Sequence, residues 1–128
     1  MRKRRFSKPL QVADKADRTR RGVEYDSKAE ADRADELDLL LRTGNIIEVR
    51  EQVTFQLGPD TTYRADFVIT DAKGVCAEDV KGYPSRDFQR TIRLWKKYGT
   101  MPLRIMTRVG KKWSIEWIYP ERNSDNGI

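Results

Sequence analysis

The stretch Tyr63–Lys81, YRADFVITDAKGVCAEDVK, decides how this chain is read. Two runs, TYRADFVIT and GVCAEDVKG, flank DAKG and read as two strands joined by a hairpin-type turn. If Ala72 and Lys73 are the central turn residues, Asp71 faces Gly74 and Asp66 falls directly opposite Asp79. Opposed positions share a sheet face, with Cβ atoms roughly 4.5–5.5 Å apart. Period two adds Lys81 to that face and turns Glu78 and Val80 the other way. A three-residue loop ending in Gly74 would move the pairing by one unless a bulge restored it. Two facing carboxylates repel unless Lys81 or a cation neutralises them, and both can bind one divalent ion through oxygen. Asp79-Val80-Lys81 alone is better explained as a solvated strand face carrying a charge pair. Asp66 is harder to dismiss, because Ala65, Phe67, Val68 and Ile69 mark a buried strand.

Upstream, DSKAE opens a helix, with Ser27 and Glu30 in the S-x-x-E spacing of a capping box. The helix is expected from Ser27 to Arg42, with a stop near Gly44. Ala34, Leu37 and Leu41 form its apolar stripe, and Glu30, four residues before Ala34, falls on that same stripe. Glu30 is therefore both a candidate site residue and a first-turn cap, and the two roles do not exclude each other. NIIEVREQVTFQL follows as a strand, broken by GPD. Downstream, Ser85 is placed to cap a second helix, RDFQRTIRLWKKY, ending at Gly99. PLRIMTRV and KWSIEWIY are two further strands around GKK. The order α-β-β-β-α-β-β predicts an α/β domain in which helices flank a mixed sheet.

Phe88, Ile92 and Trp95 form the core stripe of the second helix, while Arg86, Arg90, Arg93 and Lys97 form another at the same spacing. A solvated face normally mixes signs, and a face this basic is suited to a phosphate backbone. The basic excess is otherwise concentrated at the N-terminus. The net charge is +6, and residues 1–22 hold nine Lys/Arg, among them Arg4, Arg5, Arg20 and Arg21, against Asp14 and Asp17. Such an arm fits an anionic polymer, because bound cations release counterions from phosphates; a solubilising tail is the alternative.

At 128 residues the chain has room for one domain and one core. No apolar run approaches the roughly 18 residues of a membrane span, and no secretory pattern is visible, so a cytoplasmic setting is expected. A single cysteine, Cys76, fits that reducing compartment. The chain has no histidine. This excludes the usual Ser-His-Asp and Cys-His machinery, His-based nucleases and imidazole zinc sites, leaving carboxylates, lysines and a hard cation for any catalysis.

With these residues in place, the chain resembles the PD-(D/E)XK nuclease superfamily, whose core runs αβββαβ. That superfamily places a Glu on the first helix, an Asp on the second strand and (D/E)-x-Lys on the third, matching Glu30, Asp66 and Asp79-Val80-Lys81 here. VEYDSKAEAD, YRADFVI and EDVKGY are similar to a phage-associated branch, related in fold to Holliday-junction resolvases and other structure-selective endonucleases. The likeness covers roughly residues 22–107. Ala65 stands where the Pro of the motif would be, and Asp79 replaces the commoner Glu.

The resemblance implies a restriction-endonuclease-like fold with one extra C-terminal strand. Residues 1–22 lack apolar periodicity and read as a disordered basic arm, and 122–128 as a loose tail, so the nuclease domain is expected over 23–121. The resemblance also implies Mg²⁺- or Mn²⁺-dependent hydrolysis of DNA phosphodiesters in phage recombination, repair or processing, within the host cytoplasm if the chain is phage-encoded. Asp66, Asp79 and the Val80 carbonyl would hold the metal, and Glu30 a second metal or a water. Lys81 would steady the nucleophile or the developing charge. Arg86, Arg90, Arg93, Lys97, Arg4, Arg5, Arg20 and Arg21 would hold the nucleic-acid backbone. A homodimer would suit symmetric cutting of a junction. The alternative from another class is a nucleic-acid-binding protein without catalysis, and a purely structural module is a third.

Overall fold

The turn Asp71–Gly74 sets the register that the sequence left open. In the computed structural model, which describes residues 14–84 and 86–121, Asp71 Oδ1 accepts from the N–H groups of Lys73 (2.8 Å) and Gly74 (3.1 Å). Gly74 has φ +146°, a conformation that favours glycine. The two-residue loop therefore holds, and Asp71 pairs with Gly74, Thr70 with Val75, and so on to Phe67 with Glu78.

Around this hairpin the elements follow in the predicted order. A short 3-10 turn (Lys15–Arg18) leads into a small hairpin of β1 (Thr19–Arg20) and β2 (Val23–Glu24). Then come α1 (Lys28–Arg42), β3 (Glu48–Gln56), β4 (Thr62–Asp71), β5 (Gly74–Lys81), α2 (Gln89–Tyr98), β6 (Leu103–Val109) and β7 (Lys112–Ile118). Strands β3 to β7 form one sheet in sequence order, antiparallel except for β5 and β6, which run parallel through the α2 crossover. The fold is α/β, a mixed five-stranded sheet flanked by two helices.

Each face of the sheet has its own core. On one, α1 packs Ala34 and Leu37 against Phe67, Ile69, Val80 and Met106. On the other, α2 packs Ile92 and Trp95 against Ala65, Val68, Ala77 and Leu103. Glu78 is fully buried on the α1 side, gripped by Arg33 Nε (2.6 Å) and Nη2 (3.0 Å) and by Arg104 Nη2 (2.7 Å). The triad ties α1 to β5 and β6, and Glu78 points away from Asp79 as alternation requires.

Strands β3 and β4 change phase together. Val49 packs on the α1 side, yet Val53 and Phe55, also odd-numbered, pack on the α2 side. In β4, Tyr63 and Ala65 face α2 whereas Phe67 and Ile69 face α1. The switch falls at one rung: Glu51 pairs with Phe67 and Val53 with Ala65, but Gln52 and Asp66 between them form no ladder pair. Gln52 has φ +54°, a left-handed conformation in the middle of a strand, and that local turn of the backbone exchanges the faces without shifting the register.

Four expectations are corrected. The basic arm is not disordered through residue 22: Lys15–Glu24 is folded, because Arg18 bonds the Tyr25 carbonyl (2.7 Å) and Arg20 and Arg21 pair with α1 carboxylates. Leu41 is 37% exposed rather than core, and Leu39 is exposed beside it in the last turn of α1, while Leu37 and Leu40 pack inward. Helix α2 begins at Gln89, not Arg86, with Phe88 at its N-cap and no side-chain cap. Phe88 instead packs edge-on against Tyr63, which draws the chain before the helix toward the sheet. The pairing of Asp66 with Asp79 is not a ladder pair, since the β4–β5 ladder ends one rung earlier. The expected Ser85 cap, Arg4, Arg5 and the 122–128 tail lie outside the described residues.

Candidate active site

Where the β4–β5 ladder ends, the side chain of Asp66 takes over. Its Oδ2 accepts the backbone N–H of Val80 at 2.8 Å, so the carboxylate sits in the opening between the two strands. Asp79, on the next strand, is 6% exposed; its Oδ1 accepts from the Tyr63 hydroxyl (2.7 Å) and its Oδ2 lies 3.0 Å from Lys81 Nζ. Lys81 in turn lies over the Phe88 ring, 4.0 Å from its centroid. Glu30 comes in from the first turn of α1, 3% exposed, with Oε2 accepting from Gln52 Nε2 at 2.9 Å. Its backbone N–H is capped by Ser27 Oγ (3.1 Å), so Glu30 belongs to the cap through its main chain while its carboxylate faces the interior.

The electrostatics bind these groups into one site. Burial pushes Asp66 up to about 8, and the charges of Asp79 and Glu30 add to the shift. Burial also pushes Glu30 up to about 7, reinforced by Asp26, Asp79 and Glu51. The Tyr63 hydroxyl is raised by burial and by the neighbouring Asp79, so it stays protonated and donates. Carboxylates that hinder one another's ionisation in a partly buried opening suit a hard divalent cation, which accepts oxygen ligands and removes the repulsion. Among the described residues, no three Asp, Glu or Cys side chains already converge as a cation cage. The carboxylates are held by protein donors (Tyr63, Lys81, Gln52 and the Val80 N–H). Cys76 is half-buried, and burial pushes its thiol up, which unsuits it as a nucleophile.

Asp66, Asp79, Val80 and Lys81 gather where β4 and β5 part, and Glu30 stands close enough for its charge to act on Asp66. Arg90, Arg93 and Lys97 lie exposed on α2, and Arg86 lies exposed just before it. Arg20 and Arg21 have a role inside the fold: Arg20 bonds Asp35 (2.8 Å) and Asp32 (2.9 Å), and Arg21 bonds Asp35 (2.7 Å). Two residues of the site escaped sequence reasoning, Tyr63 and Gln52. Three positions separate Tyr63 from Asp66, which strict alternation assigns to opposite faces, and only the phase change brings Tyr63 to Asp79. Gln52 sits among alternating Val49, Glu51, Val53 and Phe55, a pattern that contains no sign of a kink.

No family model matches the chain, and no curated protein matches it. A solved structure described as "Crystal structure of SSO0001" is similar over 73% of this chain and 50% of its own length, at 16% identity and a TM-score of 0.38. A likeness that weak carries no argument about fold or activity. Among the described residues, no helix is long and apolar enough to cross a membrane.

Proposed function

We propose that the chain is a metal-dependent endonuclease that hydrolyses DNA phosphodiester bonds, selective for branched or junction DNA, in phage recombination, repair or processing. The observation that carries this reading is the carboxylate set of buried Glu30 and Asp79 and half-buried Asp66, contributed by α1, β4 and β5, with Lys81 Nζ 3.0 Å from Asp79. The resemblance to the PD-(D/E)XK superfamily supports it. Asp66, Asp79 and the Val80 carbonyl would hold Mg²⁺ or Mn²⁺, with Glu30 beside them. When bound, the ion would acidify the attacking water and neutralise charge on the phosphoryl group. Lys81, anchored on Asp79 and Phe88, keeps an ammonium at the site to stabilise the charge that develops as the phosphodiester is attacked. Arg86, Arg90, Arg93 and Lys97 hold the DNA backbone without reading sequence.

A second reading, a nucleic-acid-binding protein without catalysis, is favoured by one observation: the carboxylates are already satisfied by protein donors. Cleavage assays with Mg²⁺ on supercoiled plasmid, single strands and four-way junctions separate the two. The nuclease reading expects cutting by the wild type and none by Asp79→Ala or Lys81→Ala. Binding without cutting on all three substrates would establish the second reading, and equal cutting by the variants would place the chemistry elsewhere.

A further inference from the structure

We propose that Gln52 is a positioning residue for Glu30, and that the left-handed kink of β3 exists to deliver its side chain there. The inference rests on the metal-centre reading above and adds a residue to it.

The geometry has three independent parts. First, Gln52 occupies a left-handed conformation, φ +54°, that Gln adopts only under strain and that glycine would adopt freely. A glycine at position 52 would produce the same exchange of faces; a glutamine there points to use of the side chain. Second, the kink breaks alternation so that consecutive residues both reach the α1 side. Glu51 accepts from the Tyr25 hydroxyl (3.0 Å), and Gln52 donates to Glu30 Oε2 (2.9 Å). Third, the kink stands at the one unpaired rung of β3–β4, opposite Asp66, so the strand that carries Gln52 is fixed to the strand that carries the central carboxylate.

A cleft of about 220 Å³ opens beside this contact, lined in part by Asp26, Glu30, Glu51, Gln52 and Arg64. Without a donor at Oε2, the Glu30 side chain, which already lines that cleft, would be free to move across it toward Arg64. The Gln52 amide holds Oε2 in one place, so that the carboxylate stays available to a cation at Asp66 and Asp79. Partners that orient a ligating carboxylate typically change metal affinity or activity by about 10–100-fold when removed.

The test uses the full chain and three measurements: thermal melting in EDTA, Mn²⁺ affinity by electron paramagnetic resonance titration, and cleavage kinetics on the best DNA substrate. Gln52→Gly relieves the backbone and removes the amide. Gln52→Asn also relieves it, since Asn tolerates the left-handed region, but its amide is one methylene short. Both are expected to melt at or above the wild-type temperature, yet to bind Mn²⁺ about tenfold or more weakly and to lose kcat with KM for DNA unchanged. A merely structural role predicts the opposite sign in melting. Wild-type Mn²⁺ affinity and kcat in Gln52→Gly would overturn the inference, as would a lower melting temperature in both variants. If Asp79→Ala abolishes Mn²⁺ binding while Gln52→Gly leaves it intact, the role of Gln52 falls and the metal centre stands. If the wild type binds no Mn²⁺, the metal centre falls and takes this inference with it.

Discussion

Replacing Asp66 by Asn should stabilise the cation-free protein at alkaline pH and have little effect at acidic pH. The half-buried Asp66 carboxyl is pushed up to about 8 from the ordinary 3.8, because its charged form is poorly solvated and faces the charges of Asp79 and Glu30. An acid whose pKa is raised by folding binds its proton more tightly in the native state. Its contribution to stability is therefore full below about pH 4 and is lost as pH climbs toward 8. A shift of about four units, at about 1.36 kcal/mol each, sets a ceiling near 5–6 kcal/mol. Solvent reaches the half-buried side chain, and Glu30 titrates in the same range and shares the strain, so a gain of about 1–3 kcal/mol is expected. The Asn carbonyl can still accept the Val80 N–H, so the opening between the strands is retained. At this chain length, about 1 kcal/mol corresponds to roughly 3–5 °C in melting temperature. Melting curves of both proteins in EDTA should thus coincide near pH 4 and separate by several degrees at pH 8.5. Mg²⁺ should then raise the wild type and leave Asp66→Asn unmoved. A variant no more stable than wild type at pH 8.5, or a gap that fails to shrink on acidification, would refute the reasoning.

Four other variants test other parts of the molecule. Tyr63→Phe removes the donor to Asp79 Oδ1; it should lower kcat on DNA while changing urea stability by only about 1 kcal/mol, and a full-rate variant would remove Tyr63 from the site. Glu78→Ala leaves Arg33 and Arg104 without their shared carboxylate. Its urea midpoint should fall by the equivalent of about 3 kcal/mol, the low end for a broken buried pair because Arg104 can lean onto Trp117 and reach solvent. Arg20→Ala with Arg21→Ala should lower the melting temperature by a few degrees, at about 0.2–1 kcal/mol per pair. DNA affinity measured by fluorescence anisotropy should fall much less for that pair than for Arg90→Glu with Arg93→Glu.

The parts of the site that were legible from sequence share a cause: each depends on local chemistry close in the chain. DAKG fixes its own turn through Asp71 and Gly74, so the approach of Asp66 to Asp79 follows from four residues. Glu30 lies on the buried stripe because helical periodicity held from Ser27 through Leu37. The missed parts depend on contacts between distant segments. Arg20 and Arg21 read as an open arm because Asp32 and Asp35 lie twelve and more positions away. Nothing near Glu78 in sequence announces that Arg33 and Arg104 will enclose it. Helix α2 starts late because Phe88 finds Tyr63, a tertiary contact that outweighs the helical pattern of RDFQ.

The phase change of β3 and β4 explains why these residues can form a site at all. In a strand of unbroken alternation, Asp66 would project to one face only. On the α1 face it would meet Glu30 and lose Asp79, whose partners Tyr63 and Lys81 pack toward Phe88 and α2. On the α2 face it would meet Asp79 and lose Glu30. At the rung where the faces exchange, Asp66 belongs to neither. Its carboxylate lies in the gap between strands, close enough to both neighbours for each to resist its ionisation. A helix on one side of the sheet and a strand residue facing the other can then serve one centre. The strained backbone of Gln52 is the feature that makes the exchange possible, so straightening β3 should separate the carboxylates even with every one of them still present.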